Sequence, residues 1–219
     1  MKGLLLNNYY AVRDNIRLFL GLDAALALAL LLVGSPLLLN IFVLITPPGL
    51  ALLASSAPVR EAAGQWSKYK LTLAVSRKQI VRSLFLSHLA WCALGLLLAA
   101  LVMALALSLH GNIYFAYGWR DALTLLLCGL VAAVLIGAVA YPLLNLWGGE
   151  RGEAVLLLSL AGAAAFICGL SLLINLISGP GPVSDLEYYL SLSLILLLAA
   201  GAFALSRRLS LLLFLRREW

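Results

Sequence analysis

The sequence has few charged residues for its length. Of its 219 residues, 15 are Lys or Arg and 9 are Asp or Glu, so that 11% are charged and 64% are hydrophobic. Soluble domains carry about 25% charged residues, so most of this surface must face something other than water, and lipid is the simplest solvent that fits. Only helices or closed barrels cross lipid. Long Leu and Ala runs without two-residue alternation exclude a barrel, which predicts an all-α integral membrane protein.

The sequence also lacks the groups that chemistry inside a membrane would need. Its cysteines, Cys92, Cys128 and Cys168, lie in apolar runs without C-x-x-C spacing, which indicates packing residues. The only histidines, His88 and His110, have no second metal ligand at a useful spacing. Neither a nucleophile elbow nor H-E-x-x-H nor a phosphate-binding loop occurs. We therefore expect no enzyme activity, metal or cofactor in this chain, and an intramembrane protease is disfavoured.

One acidic residue, Asp23, lies well within an apolar run. An intramembrane carboxylate is a functional candidate by default. The alternative, which we favour, is that Asp23 caps a helix near the headgroups after Gly21 or pairs with Arg17, because it is close to the end of its span. The other spans have almost no ionisable groups at their centres, which disfavours a transporter driven by ions or protons alone.

Apolar runs predict six transmembrane helices, since a span needs about 20 apolar residues. Ahead of them, Leu5, Tyr9, Val12 and Ile16 fall on one helical stripe, which predicts an interfacial helix over residues 1–14. The basic tail after the last span is expected to be a further interfacial helix. The predicted spans, in one transmembrane domain over residues 1–219, are 15–34, 36–57, 83–109, 122–146, 154–177 and 187–206.

The basic residues predict the orientation of the bundle. With the N-terminus, the loop 58–82, the loop 147–153 and the C-terminus on one side, that side holds all but one of the 15 basic residues, and only Arg120 lies on the other. The positive-inside rule then places both termini in the cytoplasm. The net charge of +6 is explained by topology and by membrane lipid headgroups, so we expect no nucleic acid partner.

The loop 58–82 is the most patterned polar segment of the chain. Ala62, Trp66, Tyr69 and Leu73 repeat at helical spacing and form one apolar face. Such a face beside basic residues is typical of a docking surface, since aromatic and arginine side chains dominate interface energetics. An amphipathic helix resting on anionic headgroups would have the same pattern. The residues alone do not distinguish these two interpretations.

Two stretches of the sequence resemble a known family. W-S-K-Y-K-L-T-L-A-V-S-R-K-Q-I-V-R-S, residues 66–83, resembles a signature of the type-2 permeases of ATP-binding-cassette exporters. It looks most like the small bacterial branch that includes the phenol-soluble-modulin exporter permeases. Y-P-L-L-N-L-W-G-G-E-R-G, residues 141–152, resembles a second motif of that family. The chain departs from the family pattern at Ala74, where proline is usual, at Leu84, where lysine is common, and at Arg151, which replaces lysine.

The resemblance implies a division of labour between subunits. Two permease copies, identical or related, would surround the translocation path, and a separate ATPase subunit would bind ATP and Mg²⁺. The first cytoplasmic loop, 58–82, would carry a coupling helix that docks on the ATPase, and the second loop would lie beside it. The docking residues implied are Glu61, Gln65, Trp66, Lys68, Tyr69, Leu73, Ser76 and Arg77, and those of the second loop are Gly149, Glu150 and Arg151.

Together these observations predict an exporter permease of the bacterial cytoplasmic membrane that moves an amphipathic peptide or a lipid-like molecule. Spans rich in Leu, Ala, Gly and Ser suit such substrates better than ions or sugars. Two alternatives stay open. One is the membrane substrate-capture module of a vitamin importer, and the other is a non-transporting immunity or sensory subunit.

Overall fold

A computed structural model describes residues 2–64, 75–178 and 184–216. Within these ranges the chain forms seven α-helices and one short 3₁₀ helix, and contains no strand. Their bounds are α1 Lys2–Val33, α2 Pro36–Ser55, α3 Ala57–Ala63, α4 Arg77–His110, α5 Trp119–Trp147, the 3₁₀ helix Gly149–Arg151, α6 Gly152–Ser178 and α7 Asp185–Arg216.

The prediction of an all-α protein with six membrane-spanning helices is confirmed. In the described part of the chain, six helical segments are long and apolar enough to cross a membrane, with α2 and α3 together forming the second. Many large apolar side chains point away from the bundle, and Leu32 and Leu176 are 82% and 83% exposed. These exposures fit side chains that face lipid rather than water.

The two ends of the chain differ from the prediction. Helix α1 has no boundary near residue 15, so residues 2–14 are not a separate interfacial helix but the first turns of a 32-residue helix. Leu4, Asn8, Val12 and Ile16 are its buried residues in this half. The segment therefore has a buried stripe, as predicted, but its first two positions are shifted by one residue. Asn8 is buried in the stripe, whereas Tyr9 is exposed. The segment packs on the bundle because this buries more apolar side-chain surface than a helix lying alone at the membrane surface would bury.

The basic tail behaves in the same way. Helix α7 continues without a break from Asp185 to Arg216, so the expected separate helix after residue 206 is not present. Phe214 is buried in a cluster with Leu4, Phe85 and Tyr141, which come from three other helices. This packing explains why a tail with flanking arginines remains part of the last transmembrane helix.

Helices α2 and α5 occupy the centre of the bundle, and α2 contacts α1, α4 and α5. Glycines on the neighbouring helices allow this close approach. A Cβ atom added at Gly95 would lie 2.7 Å from Pro47 Cα, and one at Gly129 would lie 2.9 Å from the carbonyl oxygen of Val43. That carbonyl has no helical partner because Pro47 lacks an N–H. Small residues thus bring α4 and α5 against the proline-containing turn of α2.

Asp23 lies in the middle of the membrane rather than at its edge. We take the turn between α1 and α2 as one boundary of the hydrocarbon core. Asp23 lies ten residues before Val33, the last residue of α1, and Thr46 lies ten residues after Pro36, the first residue of α2. At 1.5 Å per residue both are about 15 Å deep, half of a core of about 30 Å. Asp23 is buried, and Thr46 Oγ1 lies 2.7 Å from its carboxyl oxygen Oδ1.

The expectation that Asp23 caps a helix or pairs with Arg17 is therefore wrong. Asp23 lies inside a continuous helix, and within the described ranges no cation comes within ion-pair distance of it. Thr46 Oγ1 also lies 2.8 Å from its own helix's Phe42 carbonyl oxygen, so the pair joins α1 to the central helix. The charge pattern could not predict this partner, because a threonine on another helix gives no signal in the sequence.

His88 links three helices at the core. It is fully buried, and its Nε2 lies 3.0 Å from the carbonyl oxygen of Ala133 in α5. Because a carbonyl only accepts, Nε2 carries the hydrogen, and Nδ1 then accepts from the Ser55 hydroxyl of α2 at 3.3 Å. Gly137 leaves the space that this ring occupies, since a Cβ there would overlap it. His88 thus makes two hydrogen bonds to neighbouring helices, which is a structural role.

We predict that Gly95→Ala destabilises the folded bundle by about 1 to 3 kcal/mol, because the new methyl group must displace the backbone of α2. The measurement is thermal unfolding of the purified chain in detergent. The matched control is Gly201→Ala, where no atom lies within 4 Å of an added Cβ, and which should be neutral or slightly stabilising. Equal effects at the two glycines would contradict the packing described for α2.

We also predict that Thr46→Val, which removes the hydroxyl but keeps the volume, lowers stability by about 1 to 3 kcal/mol, since it leaves Asp23 buried without its partner. Thr46→Ser keeps the hydroxyl and should lose clearly less stability than Thr46→Val. The same unfolding assay applies. A valine variant as stable as the serine variant would show that the Asp23–Thr46 contact contributes nothing.

Candidate functional site

The described part of the first motif, residues 75–83, lies at the same end of the bundle as the second motif, since Ile80 and Val81 share a buried cluster with Tyr141. Here α3, the start of α4, the 3₁₀ helix and the end of α7 lie together, and we call this the basic end. Apart from Arg120, all the described basic residues lie on its side. They are Lys2, Arg13, Arg17, Arg60, Arg77, Lys78, Arg82, Arg151, Arg207, Arg208 and Arg216.

The glycines of the second motif allow the two loops to touch. Gly148 has a φ of +83°, a conformation that only glycine adopts at low cost, and it turns the chain from α5 into the 3₁₀ helix. A Cβ added at Gly149 would overlap Ala62 of α3, and one added at Gly152 would overlap Val59. The motif W-G-G-E-R-G therefore combines one turn glycine with two glycines of close approach, and joins the second loop to the first.

A cleft of about 680 Å³ opens where these loops meet. Its lining residues come from α3 on one side and from the 3₁₀ helix and the start of α6 on the other. Glu150 and Arg151 are exposed at its edge, whereas Gly149 is half-buried beneath them. Of the predicted second-loop residues, Glu150 and Arg151 are thus available to a partner. Gly149 contributes differently, because its lack of a side chain lets the 3₁₀ helix approach Ala62 of α3.

Aromatic packing ties the rest of the second motif to α4. The rings of Tyr141 and Phe85 are 4.8 Å apart between centroids, and Phe85 also contacts Phe203 of α7 at 5.0 Å. The Tyr141 hydroxyl lies 3.5 Å from the carbonyl oxygen of Leu84. Because these side chains are buried together, the start of α4 is packed against both α5 and α7.

Ser76, which was predicted to dock, begins helix α4. Its side chain accepts a hydrogen bond from the Gln79 backbone N–H at 3.3 Å, and the Gln79 side chain accepts from the Ser76 N–H at 3.1 Å. This reciprocal capping box satisfies two amide donors that the helix end would otherwise leave unpaired. The serine of the first motif thus fixes the point at which the loop becomes a transmembrane helix.

Arg77, also predicted to dock, reaches across to the end of α7. Its Nη1 donates to the carbonyl oxygens of Leu215 at 3.2 Å and Phe214 at 3.5 Å. These carbonyls belong to the last turn of α7, and a cation near a helix C-terminus interacts favourably with its dipole. Arg77 is half-buried in this contact. The implied docking of Arg77 on the ATPase stays a prediction.

Glu61 is the third predicted docking residue within the described ranges, and it is buried, with 8% of its surface exposed. Its carboxylate oxygen Oε1 accepts a hydrogen bond from Asn7 Nδ2 of α1 at 2.6 Å. The contact fixes α3 to the N-terminal turns of α1. The remaining predicted docking residues, Gln65, Trp66, Lys68, Tyr69 and Leu73, lie outside the described residues.

Sequence reasoning missed the contribution of α1 to this site. Besides Asn7, the fully buried Asn8 lies with its Nδ2 3.5 Å from Ser83 Oγ of α4. The signal was available, because Leu4, Asn8, Val12 and Ile16 also fall four residues apart. A search for stripes of apolar residues does not detect this stripe, since asparagine does not count as apolar.

Arg120 is the one basic residue at the opposite end among those the structure describes, and it is paired with an aspartate. Arg120 Nη2 lies 2.7 Å from Asp185 Oδ1, and its guanidinium carbon lies 4.7 Å from the centroid of the Tyr188 ring. The Tyr188 hydroxyl donates to the Arg120 carbonyl oxygen at 2.8 Å. Among the described residues there is no group of three potential metal ligands at either end.

A family model described as "ABC-2 family transporter protein" matches residues 3–214, which is nearly the whole chain. The chain belongs to the ABC-2 transporter family. No curated protein and no solved structure shows significant similarity to it. The match makes the chain a multi-pass transporter membrane protein of the ABC-2 type, for which an ABC ATPase is the general partner. The narrower resemblance to the phenol-soluble-modulin branch is not distinguished by this match and stays a prediction.

For this ABC-2 protein we predict that Gly149→Ala loosens α3, because the added methyl group has no space beside Ala62. A cost of about 1 to 3 kcal/mol would raise amide hydrogen exchange in α3 by about tenfold or more. Hydrogen–deuterium exchange with mass spectrometry measures it. Gly64→Ala is the control, since the nearest atom to its added Cβ is the Arg60 carbonyl oxygen at 3.8 Å. Unchanged exchange in the Gly149 variant would mean that the two loops are not coupled.

Proposed function

We propose that the chain is the membrane permease subunit of an ABC exporter, which moves an amphipathic peptide or a lipid-like molecule out of a bacterial cell. A separate ATPase subunit, with its ATP and Mg²⁺, supplies the energy, and the permease itself is not an enzyme. The contact between α3, in the first cytoplasmic loop, and the glycines of the second motif at the basic end carries the proposal. Through the contacts of Gly149 with Ala62 and Gly152 with Val59, two loops distant in sequence become one surface.

The basic end faces the cytoplasm in this proposal. The positive-inside rule supports that orientation, because Arg120 is the one basic residue described at the opposite end and Asp185 neutralises it. Both termini then lie in the cytoplasm of the cell and the loops 58–82 and 147–153 face the same compartment. An ATPase, which needs cytoplasmic ATP, would find its docking surface on that side of the membrane.

The geometry also supports a route for force from an ATPase into the bundle. A partner that moves the loop 58–82 would act on two fixed points, Ser76 at the start of α4 and α3 beside the 3₁₀ helix. From the start of α4, the Arg77 contacts lead to α7 and the Phe85–Tyr141 contact leads to α5. Packed helices shift as units rather than deforming continuously, so small loop movements become helix movements. A second permease copy would complete the translocation path.

Two other functions remain in competition. A capture module of a vitamin importer would need polar ligand-facing groups near the outer side, and a non-transporting immunity or sensory subunit would need no ATPase-driven movement. A neighbouring ATPase gene and a stable complex with its product favour the exporter. An isolated gene, and a chain that purifies without an ATPase, favour the alternatives.

We predict that the chain co-purifies with the ATPase encoded beside it, and that Trp66→Ala with Tyr69→Ala abolishes assembly or the permease-dependent change in ATP hydrolysis. Loss of two aromatic anchors from an interface typically weakens binding by about tenfold or more for each. The control is Tyr117→Ala with Trp119→Ala, an aromatic pair that is 76% and 70% exposed at the opposite end. Equal loss in both double variants, or no loss in either, would refute ATPase docking on the first loop.

A further inference from the structure

A cavity of about 440 Å³ opens between α4, α5 and α7. Eleven of its thirteen lining residues are apolar, among them Phe85, Leu86, Val134 and Phe203, and the other two are Arg82 and Arg207. The cavity is separate from the cleft between α3 and the 3₁₀ helix, with which it shares no lining residue. Nothing in the proposed ATPase docking uses it.

The two arginines lie at nearly the same depth, at the basic end of this cavity. Arg82 is five residues beyond Arg77 in α4, and Arg207 is eight residues before Leu215 in α7. At 1.5 Å per residue, they stand about 8 and 12 Å from the Arg77–Leu215 contact toward the membrane centre. The cavity thus has apolar walls in the direction of the membrane interior and two guanidinium groups where those walls approach the headgroups.

These charges have no compensating anion in the described structure. The three helices that form the cavity carry only Asp121, Asp185 and Glu187 as acidic residues, all of them at the opposite end of the bundle. Within the described ranges neither arginine has an ion-pair partner. Two like charges that line one cavity beside hydrocarbon repel each other, and an anion between them would remove this cost. Guanidinium groups bind phosphate oxygens with paired hydrogen bonds.

We propose that this cavity binds an anionic phospholipid of the leaflet at the basic end, with its phosphate between Arg82 and Arg207 and one acyl chain along Leu86, Val134 and Phe203. Both arginines are exposed and reach the cavity mouth from different helices, so a lipid can enter sideways from the bilayer. Its acyl chain would contact the Phe85–Phe203 pair, which joins α4 to α7. The bound lipid would thereby link the first motif to the last helix. This inference does not depend on the direction of transport.

The test compares phosphatidylglycerol with phosphatidylcholine of the same acyl chains, using the full-length purified chain and native mass spectrometry to count bound lipids. We expect the wild type to prefer phosphatidylglycerol, and the variant Arg82→Gln with Arg207→Gln to lose that preference by about thirtyfold. The control is Arg208→Gln, which removes an adjacent exposed charge that does not line the cavity and should leave the preference nearly unchanged. Arg82→Lys with Arg207→Lys keeps both charges, and its preference for phosphatidylglycerol should lie between those of the wild type and the glutamine variant. This lysine variant keeps the test valid if the glutamine variant does not fold.

Filling the apolar part gives an independent readout. Ala200→Phe, at a lining position, should lower phosphatidylglycerol binding while the arginines remain. The proposal is overturned if both lipids bind equally to the wild type, or if Arg208→Gln has the same effect as the double variant, since both results mean diffuse attraction to headgroups. It is also overturned if Ala200→Phe leaves lipid binding unchanged and instead dissociates a dimer, because the cavity would then be the seat of a second copy.

Discussion

Close approach of neighbouring helices to α2 and its continuation α3 is the interaction on which the rest of the structure depends. Helices in lipid gain little from hydrophobic burial against one another, so they associate by van der Waals contact where small residues permit it. In this chain glycines provide that space at the middle of α2 and along α3. Gly95 meets Pro47, Gly129 meets Val43, and at the basic end Gly149 and Gly152 meet Ala62 and Val59. The same device that holds the transmembrane core together therefore also assembles the surface outside the membrane.

Polar contacts add specificity to this packing rather than bulk stability. The Asp23–Thr46 pair fixes α1 on α2 in the middle of the membrane, and His88 joins α2, α4 and α5 nearer the basic end. Each group is buried, so losing its partner would leave a polar atom without a hydrogen bond in a medium that offers none. Such contacts define which helices are neighbours. The Asp23–Thr46 contact also fixes the rotation of α1 about its own axis, which its mostly leucine outward face would not.

Much of this fold could be predicted from the sequence, because hydropathy and charge act locally. The six spans and the concentration of basic residues at one end follow from composition along the chain. The continuation of α1 and α7 beyond the membrane could not be predicted, since it depends on Asn7, Asn8 and Phe214 finding partners on other helices. Glu61 and Arg77 illustrate the same limit at the site. The family resemblance implied that both dock on a partner protein, whereas in the structure Glu61 accepts a hydrogen bond from Asn7 and Arg77 donates to the carbonyls at the end of α7.

In the proposed function, the two loops joined at Gly149 and Ala62 form one surface to which an ATPase subunit binds. The most direct measurement is photo-cross-linking in membranes that contain both subunits, with a photoreactive residue at Glu150 and, as the comparison, at Ile113 on the opposite end of the bundle, where 57% of the side chain is exposed. If the ATPase docks on this surface, position 150 cross-links to it and position 113 does not. A cross-link from position 113, or none from position 150 when the complex is intact, would contradict this docking.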